Sequence, residues 1–206
     1  MTRPLPPSGL LDIDLEDLTQ QFRPAPEAWA WIEGEILDEA GNLHNPDHHH
    51  LQGADVAVLW ASSSFTKQGK TVVGQAELVA FRAGGWQKAR MERQMVDWFG
   101  RVPEVVITLA ADYCSSCTDT EFCALVEHEL YHVAQETDQY GAPKFRRDGS
   151  AALTMRAHDV EEFVGVVRRY GAGEEVQKLV DAAQRPPEVA RLHIARSCGT
   201  CLLRAA

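Results

Sequence analysis

The chain of 206 residues has no apolar run of the roughly eighteen residues that a membrane-spanning helix needs. Its first residues, Met1-Thr-Arg-Pro-Leu-Pro-Pro, lack the apolar stretch of a secretion signal, so the expected location is the cytoplasm. Basic residues are in deficit, 20 against 30 acidic ones, for a formal charge of −10. That balance argues against a broad nucleic-acid footprint, though it leaves room for a local patch. Lys88, Arg90 and Arg93 cluster, as do Lys144, Arg146 and Arg147, and each group reads as a solvated face. No internal repeat is visible. An apolar fraction of 45% is enough for a proper core, and the length fits one domain, with or without a small appendage.

Cysteine is sparse but patterned: Cys114-Ser-Ser-Cys117, a lone Cys123, and Cys198-Gly-Thr-Cys201. Two C-x-x-C pairs in a cytoplasmic chain favour metal over disulfide. Four thiolates suit a closed structural zinc that would tie residues 190–206 back to the loop before a central helix. Two disulfides in an oxidising environment, or plain thiols, are the alternatives. Cys123 falls on an apolar helix face and reads as a small core residue. No thiol has an evident partner base, so a cysteine nucleophile is not expected.

The strongest positive signal is His128-Glu129-Leu130-Tyr131-His132, an H-e-x-x-H pattern within a helical segment. Residues four apart share a helix face, so the two imidazoles can ligate one zinc ion. The intervening glutamate can take a proton from a water activated by that metal. Thr118 and Glu121 form a capping-box pattern upstream, and Gly141 with Pro143 supplies stop signals downstream. Phe122, Val126, Leu130 and Val133 recur at helical spacing, on a different side from the histidines. Glu136 reads as a solvated surface residue rather than a ligand.

The H-e-x-x-H-x-x-G-x-x-H extension is absent, so a third ligand must come from further along the chain. His158-Asp159-Val160-Glu161-Glu162-Phe163 reads as the opening of a second helix that Tyr170-Gly171 closes. His158, or else Glu161 or Glu162, could reach the metal, with imidazole the commoner zinc partner. Asp159 and the glutamates could alternatively accept from ligand N–H groups.

The run Cys123 to His132, followed by His158 to Phe163 and Arg168-Arg-Tyr-Gly171, resembles the metallopeptidases of phages and prophage regions. It is similar, more distantly, to SprT-like zinc proteases. The resemblance spans about residues 45–175. It implies a zinc peptidase-like site with His158 as third ligand and a setting in the bacterial host cell, but no defined substrate; the expected partner is a protein or peptide substrate.

Elsewhere, residues 1–26 read as a flexible proline-rich arm. Glu27 to Glu39 is helical in pattern, and His44 and His48-His49-His50 read as loop residues. Val56 to Trp60 and Val72 to Val79, separated by Gly69-Lys70, suggest a hairpin. Trp86 to Trp98 reads as a helix, Pro103 to Leu109 as a strand, and Val176 to Ala183 as a weak helix before Pro186-Pro187. The expected fold class is α+β: a small antiparallel or mixed sheet packed on the H-e-x-x-H helix, zincin-like, within one domain over 27–206. The expected function is zinc-dependent peptide hydrolysis, with Glu129 as base. The alternatives are a zinc-bound interaction or regulatory module without proteolysis, and a DNA-associated protease of SprT type.

Overall fold

The computed structural model describes residues 2–11, 19–161 and 164–198. A 3-10 turn, Ser8–Leu10, and strand β1 (Phe22–Pro24) lead into helix α1 (Pro26–Ile32). α1 starts on a proline, whose fixed φ suits the first helical position. It continues through a π turn, Glu33–Leu37, and the chain then folds back so tightly that a Cβ on Gly41 would lie 2.4 Å from the Glu35 carbonyl oxygen. A 3-10 segment, Pro46–Leu51, carries the three adjacent histidines.

Next come β2 (Val56–Ala61), β3 (Phe65–Lys67), β4 (Lys70–Val72) and β5 (Gly74–Leu78). Helix α2 (Gly85–Phe99), β6 (Val105–Ala110), α3 (Ala111–Ser116) and α4 (Asp119–Tyr131) follow. The C-terminal part holds β7 (Val133–Gln135), β8 (Leu153–Met155), α5 (Val164–Tyr170), α6 (Glu174–Ala183) and α7 (Arg191–Cys198).

The main sheet has the order β1-β2-β6-β5, with β2 and β6 parallel and the outer pairs antiparallel. The protein is therefore α+β, with a small mixed sheet and several helices. All six residues of β2 are buried. Val58 and Trp60 join Ile107, Leu109, Trp31 and Phe122 in the main core, on one sheet face. Ala57, Leu59 and Val106 meet Met95, Trp98 and Phe99 of α2 on the other.

A strand buried on both faces reads as an unbroken apolar run and takes neighbours on both edges. For that reason the expected hairpin between Val56–Trp60 and Val72–Val79 does not form: β6 lies between them. The Gly69-Lys70 signal marks a smaller hairpin, in which β3 pairs with β4. No helix among the described residues is long and apolar enough to cross a membrane.

The described parts of the 1–26 arm are not loose. Leu10 is buried in the core, β1 pairs with β2, and Arg3 is only 3% exposed. Arg3 Nε lies 2.8 Å from Asp119 Oδ1, off the line of a hydrogen bond, so that contact is ionic. Its guanidinium also stacks on the Phe122 ring and donates to the Cys117 carbonyl. A buried cation with a buried partner fixes a segment that composition alone marks as polar and flexible. At the other end, α7 is a helix rather than a plain tail. Trp31 Nε1 donates to the Ser197 carbonyl at 3.1 Å, and Ser197 Oγ donates to Glu35 Oε2 at 2.8 Å.

Candidate metal centre

α4 begins with a complete capping box. Thr118 Oγ1 accepts from Glu121 N at 3.3 Å, and Glu121 Oε2 accepts from Thr118 N at 2.8 Å. Phe122, Val126 and Leu130 bury one face in the core, which leaves His128 and His132 pointing into a cleft. The helix does not run on toward Gly141. It ends at Tyr131, with His132 as its C-cap, because Val133 is buried and pairs with Met155 of β8. His132 and Arg156 extend that ladder by one more pair. Arg156 N donates to the His132 carbonyl at 2.8 Å, and the His132 ring, through Nδ1, bonds the Arg156 carbonyl at 2.8 Å. A proton on Nδ1 leaves Nε2 bare for a metal. Glu136 follows β7 and pairs with Lys144 at 3.4 Å.

His158 reaches the site by the same ladder. The described helix α5 starts at Val164, and His158 sits before it in irregular backbone, two residues past Arg156. The strand thus delivers this side chain, where the sequence pattern suggested a helix start. The potential ligand atoms of His128, His132 and His158 all lie within 4.8 Å of one another. His128 Nε2 is 3.2 Å from His132 Nε2 and 3.1 Å from His158 Nε2. Tetrahedral zinc, with bonds of about 2.0–2.1 Å to nitrogen, needs nitrogens about 3.3 Å apart. Burial, and then the two neighbouring imidazoles, hold His128 below its usual pKa, in the neutral form a metal requires. Glu161 is not part of this group, and Glu162 lies outside the described residues.

Glu129 is buried at 3% exposure. Burial raises its pKa, while His132 and a hydrogen bond from the Ala76 backbone amide pull the other way. Its Oε2 has no hydrogen-bond partner among the described residues, an orphaned buried acceptor on a side chain that lines the same cleft as the three imidazoles. This open acceptor and the three converging nitrogens fit a bound metal with one position left for a water or substrate.

β5 forms the upper wall. Ala110 N donates to the Val73 carbonyl, and Val79 N donates to the Glu104 carbonyl. In an antiparallel ladder alternate residues turn outward, so Gly74, Ala76 and Leu78 present their backbone groups to the free edge. A Cβ on Gly74 would lie 2.5 Å from Glu129 Oε1, so only glycine lets the strand approach the carboxylate this closely. The cleft measures about 410 Å³ and is also lined by Phe65, Lys67, Lys70, Leu125 and Met155.

Behind α4, His48 is a buried structural residue rather than a loop histidine. It bonds Glu127 at 2.9 Å, and Asn45 donates to the same carboxylate at 2.9 Å. Tyr131 donates to Asp47 at 2.9 Å, and it is not among the residues lining the Glu129 cleft. Cys114 and Cys117 are buried reduced thiols before α4. A hydrogen bond from Cys114, with help from Arg3, holds Cys117 down to about 6, and the same bond pushes Cys114 up. The Cys198 side chain and Cys201 lie outside the described residues. Cys123 is buried on α4, as the apolar pattern indicated.

Sequence reasoning missed Gly74, Ala76 and Arg156. The short strand Leu153–Met155 is too brief to register as a period, and the role of a strand edge depends on which neighbour it lacks. No curated protein and no solved structure matches this chain. A family model described as Putative phage metallopeptidase matches residues 29–184, from α1 to the end of α6, and so takes in the histidine cluster, the buried glutamate and the strand edge above them. The chain belongs to that family, the putative phage metallopeptidases.

Proposed function

We propose that this metallopeptidase is a zinc endopeptidase of the H-e-x-x-H type, with His128, His132 and His158 as metal ligands and Glu129 as general base. The single observation that carries the reading is the convergence of three imidazole nitrogens beside a buried carboxylate that keeps one acceptor free. Bound zinc supplies Lewis acidity, lowering the pKa of a water and polarising the scissile carbonyl.

The chain's own residues supply the remaining parts. Gly74, and Ala76 through its carbonyl, offer outward backbone groups to an extended peptide, which lies along β5 as an added strand. Glu129, raised by burial, takes a proton from the attacking water and passes it to the leaving amine. The Ala76 amide keeps the carboxylate aimed while it does so. His132 is locked by the Arg156 carbonyl, so its ring does not reorient as charge develops.

The setting we propose is the bacterial cytoplasm, with the gene carried by a phage or prophage. Cys114, Cys117, Cys198 and Cys201 would hold a second, structural zinc. Arg3 bonds Cys117 and stacks on Phe122, and Trp31 packs on that ring while bonding Ser197, so the last turn of α7 approaches the same flank.

The test is Glu129→Gln in the zinc-loaded protein, assayed on unfolded protein substrates. Removing a general base costs about 10²–10⁴ in rate. Retained zinc and fold with cleavage lost by that factor supports the enzyme. Equal cleavage by both forms removes Glu129 from the role of base, and no cleavage by the wild type on any unfolded protein leaves a zinc-bound interaction module instead. Cleavage that requires added DNA would favour the SprT-type alternative.

A further inference from the structure

The cleft carries a charge opposite to that of the molecule. The chain has a formal charge of −10, yet the charged side chains lining the cleft, imidazoles aside, are Lys67, Lys70 and the buried Glu129. The chain's other lysines each have a carboxylate: Lys88 meets Glu92 at 3.6 Å, Lys144 meets Glu136 at 3.4 Å, and Lys178 meets Glu174 at 2.8 Å. Lys67 and Lys70 have no ion pair among the described residues.

They are also cross-strand partners, directly opposite one another where β3 turns into β4. Like charges in that position destabilise a hairpin. The turn between them adds strain, since Gln68 has φ 52°, a conformation that side chains other than Gly, Asn and Asp rarely adopt. A costly local arrangement with no partner in the fold points to a partner outside it. The same hairpin contributes Phe65 and Val72 to the cleft wall, so the lysines stand at the mouth of the histidine site.

We propose that the β3–β4 hairpin selects peptide substrates with carboxylates in the segment lying across it, Lys67 and Lys70 acting as the recognition pair. This rests on the peptidase reading and names its substrate class. Two ammonium groups, joined by a metal dication whenever one is bound, would make the cleft a local positive well on an acidic molecule. Such a well steers anionic ligands in and lets salt screen the effect. The carboxylates can be Asp or Glu side chains or a free C-terminus, and the two are separable by amidation.

The test is fluorescence anisotropy with labelled peptides on the zinc-loaded Glu129→Gln chain, with and without Lys67→Gln/Lys70→Gln. The peptides form a set: one rich in Glu, its Gln counterpart, and each as a free acid and as an amide. A single-stranded oligonucleotide of matching charge completes the series. The expected result is an affinity for the Glu peptide about tenfold above that for the Gln peptide at low salt. The gap closes in the lysine double variant, whose zinc content and circular dichroism match the parent.

Equal affinity for both peptides, or a gap that survives in the double variant, overturns the proposal and leaves the lysines as blunting charges on a short strand. Tighter, lysine-dependent binding of the oligonucleotide overturns it in favour of nucleic acid. Wild-type protein, assayed in parallel, separates the two claims. Lysine-dependent binding without cleavage keeps the charge selection and removes the peptidase. Equal cleavage of Glu and Gln peptides, unchanged in Lys67→Gln/Lys70→Gln, keeps the peptidase and removes the selection.

Discussion

Glu129 works, on this account, because its surroundings leave it one free acceptor and no room to move. Gly74 is the clearest check. Its Cα stands so near the helix that an added methyl would press on Glu129 Oε1 at 2.5 Å and Leu125 Cδ1 at 2.8 Å. Gly74→Ala is expected to cost about 1–3 kcal/mol by overpacking, and to lower the cleavage rate further than zinc content. Denaturant unfolding and metal analysis on the same sample measure both. A variant with wild-type stability and rate would show that the strand does not constrain the carboxylate. The histidines differ in how they are held. His132 is oriented by the Arg156 carbonyl, a partner that no side-chain substitution removes, so its perturbation must come through the strand that carries Arg156.

That strand and α4 are the elements that build the site. Thr118→Ala removes one half of the capping box and is expected to cost about 0.5–2 kcal/mol, read as a lower unfolding midpoint. Leu153 is buried in β8, and Leu153→Ala is expected to cost about 2–5 kcal/mol. Loosening β8 also frees Arg156, so zinc affinity should fall by about 10–100-fold, measured by competition with a chelator. Unchanged affinity in a destabilised Leu153→Ala protein would mean that β8 carries His158 without orienting His132.

The element scale also shows what the sequence could express. The cap at Thr118, the apolar stripe of α4 and the glycine stop at Gly171 were legible because each depends on residues close in the chain. The end of α4 was not, since the residues after His132 stay compatible with a helix until Val133 finds Met155 across the ladder. His158 stands out in the sequence as a candidate ligand by residue type, while the pattern puts it at a helix start, because a three-residue strand has no period to detect. The Val56–Trp60 run was recognisable as a strand, but its parallel neighbour β6 lies beyond a crossover helix that local pattern does not encode.

At the scale of the whole molecule, Arg3 and α7 brace the site from behind. Arg3 sits against Asp119 at the first turn of α4, and α7 is tied to α1 through Ser197, Trp31 and Glu35. Arg3→Ala withdraws the cation beside a buried carboxylate and is expected to cost about 3–5 kcal/mol, a loss visible in thermal unfolding. A shift under about 0.5 kcal/mol, typical of surface changes, would return the N-terminal segment to the status of a loose arm.

The three histidines brought together from α4 and the β8 extension are expected to hold one zinc ion. The direct measurement is zinc per chain in the purified wild-type protein and in His158→Ala, each checked for fold by circular dichroism. One equivalent fewer is expected in the variant, whatever further zinc the cysteines retain. Identical zinc content in two folded proteins, or no zinc in the wild type, would contradict it.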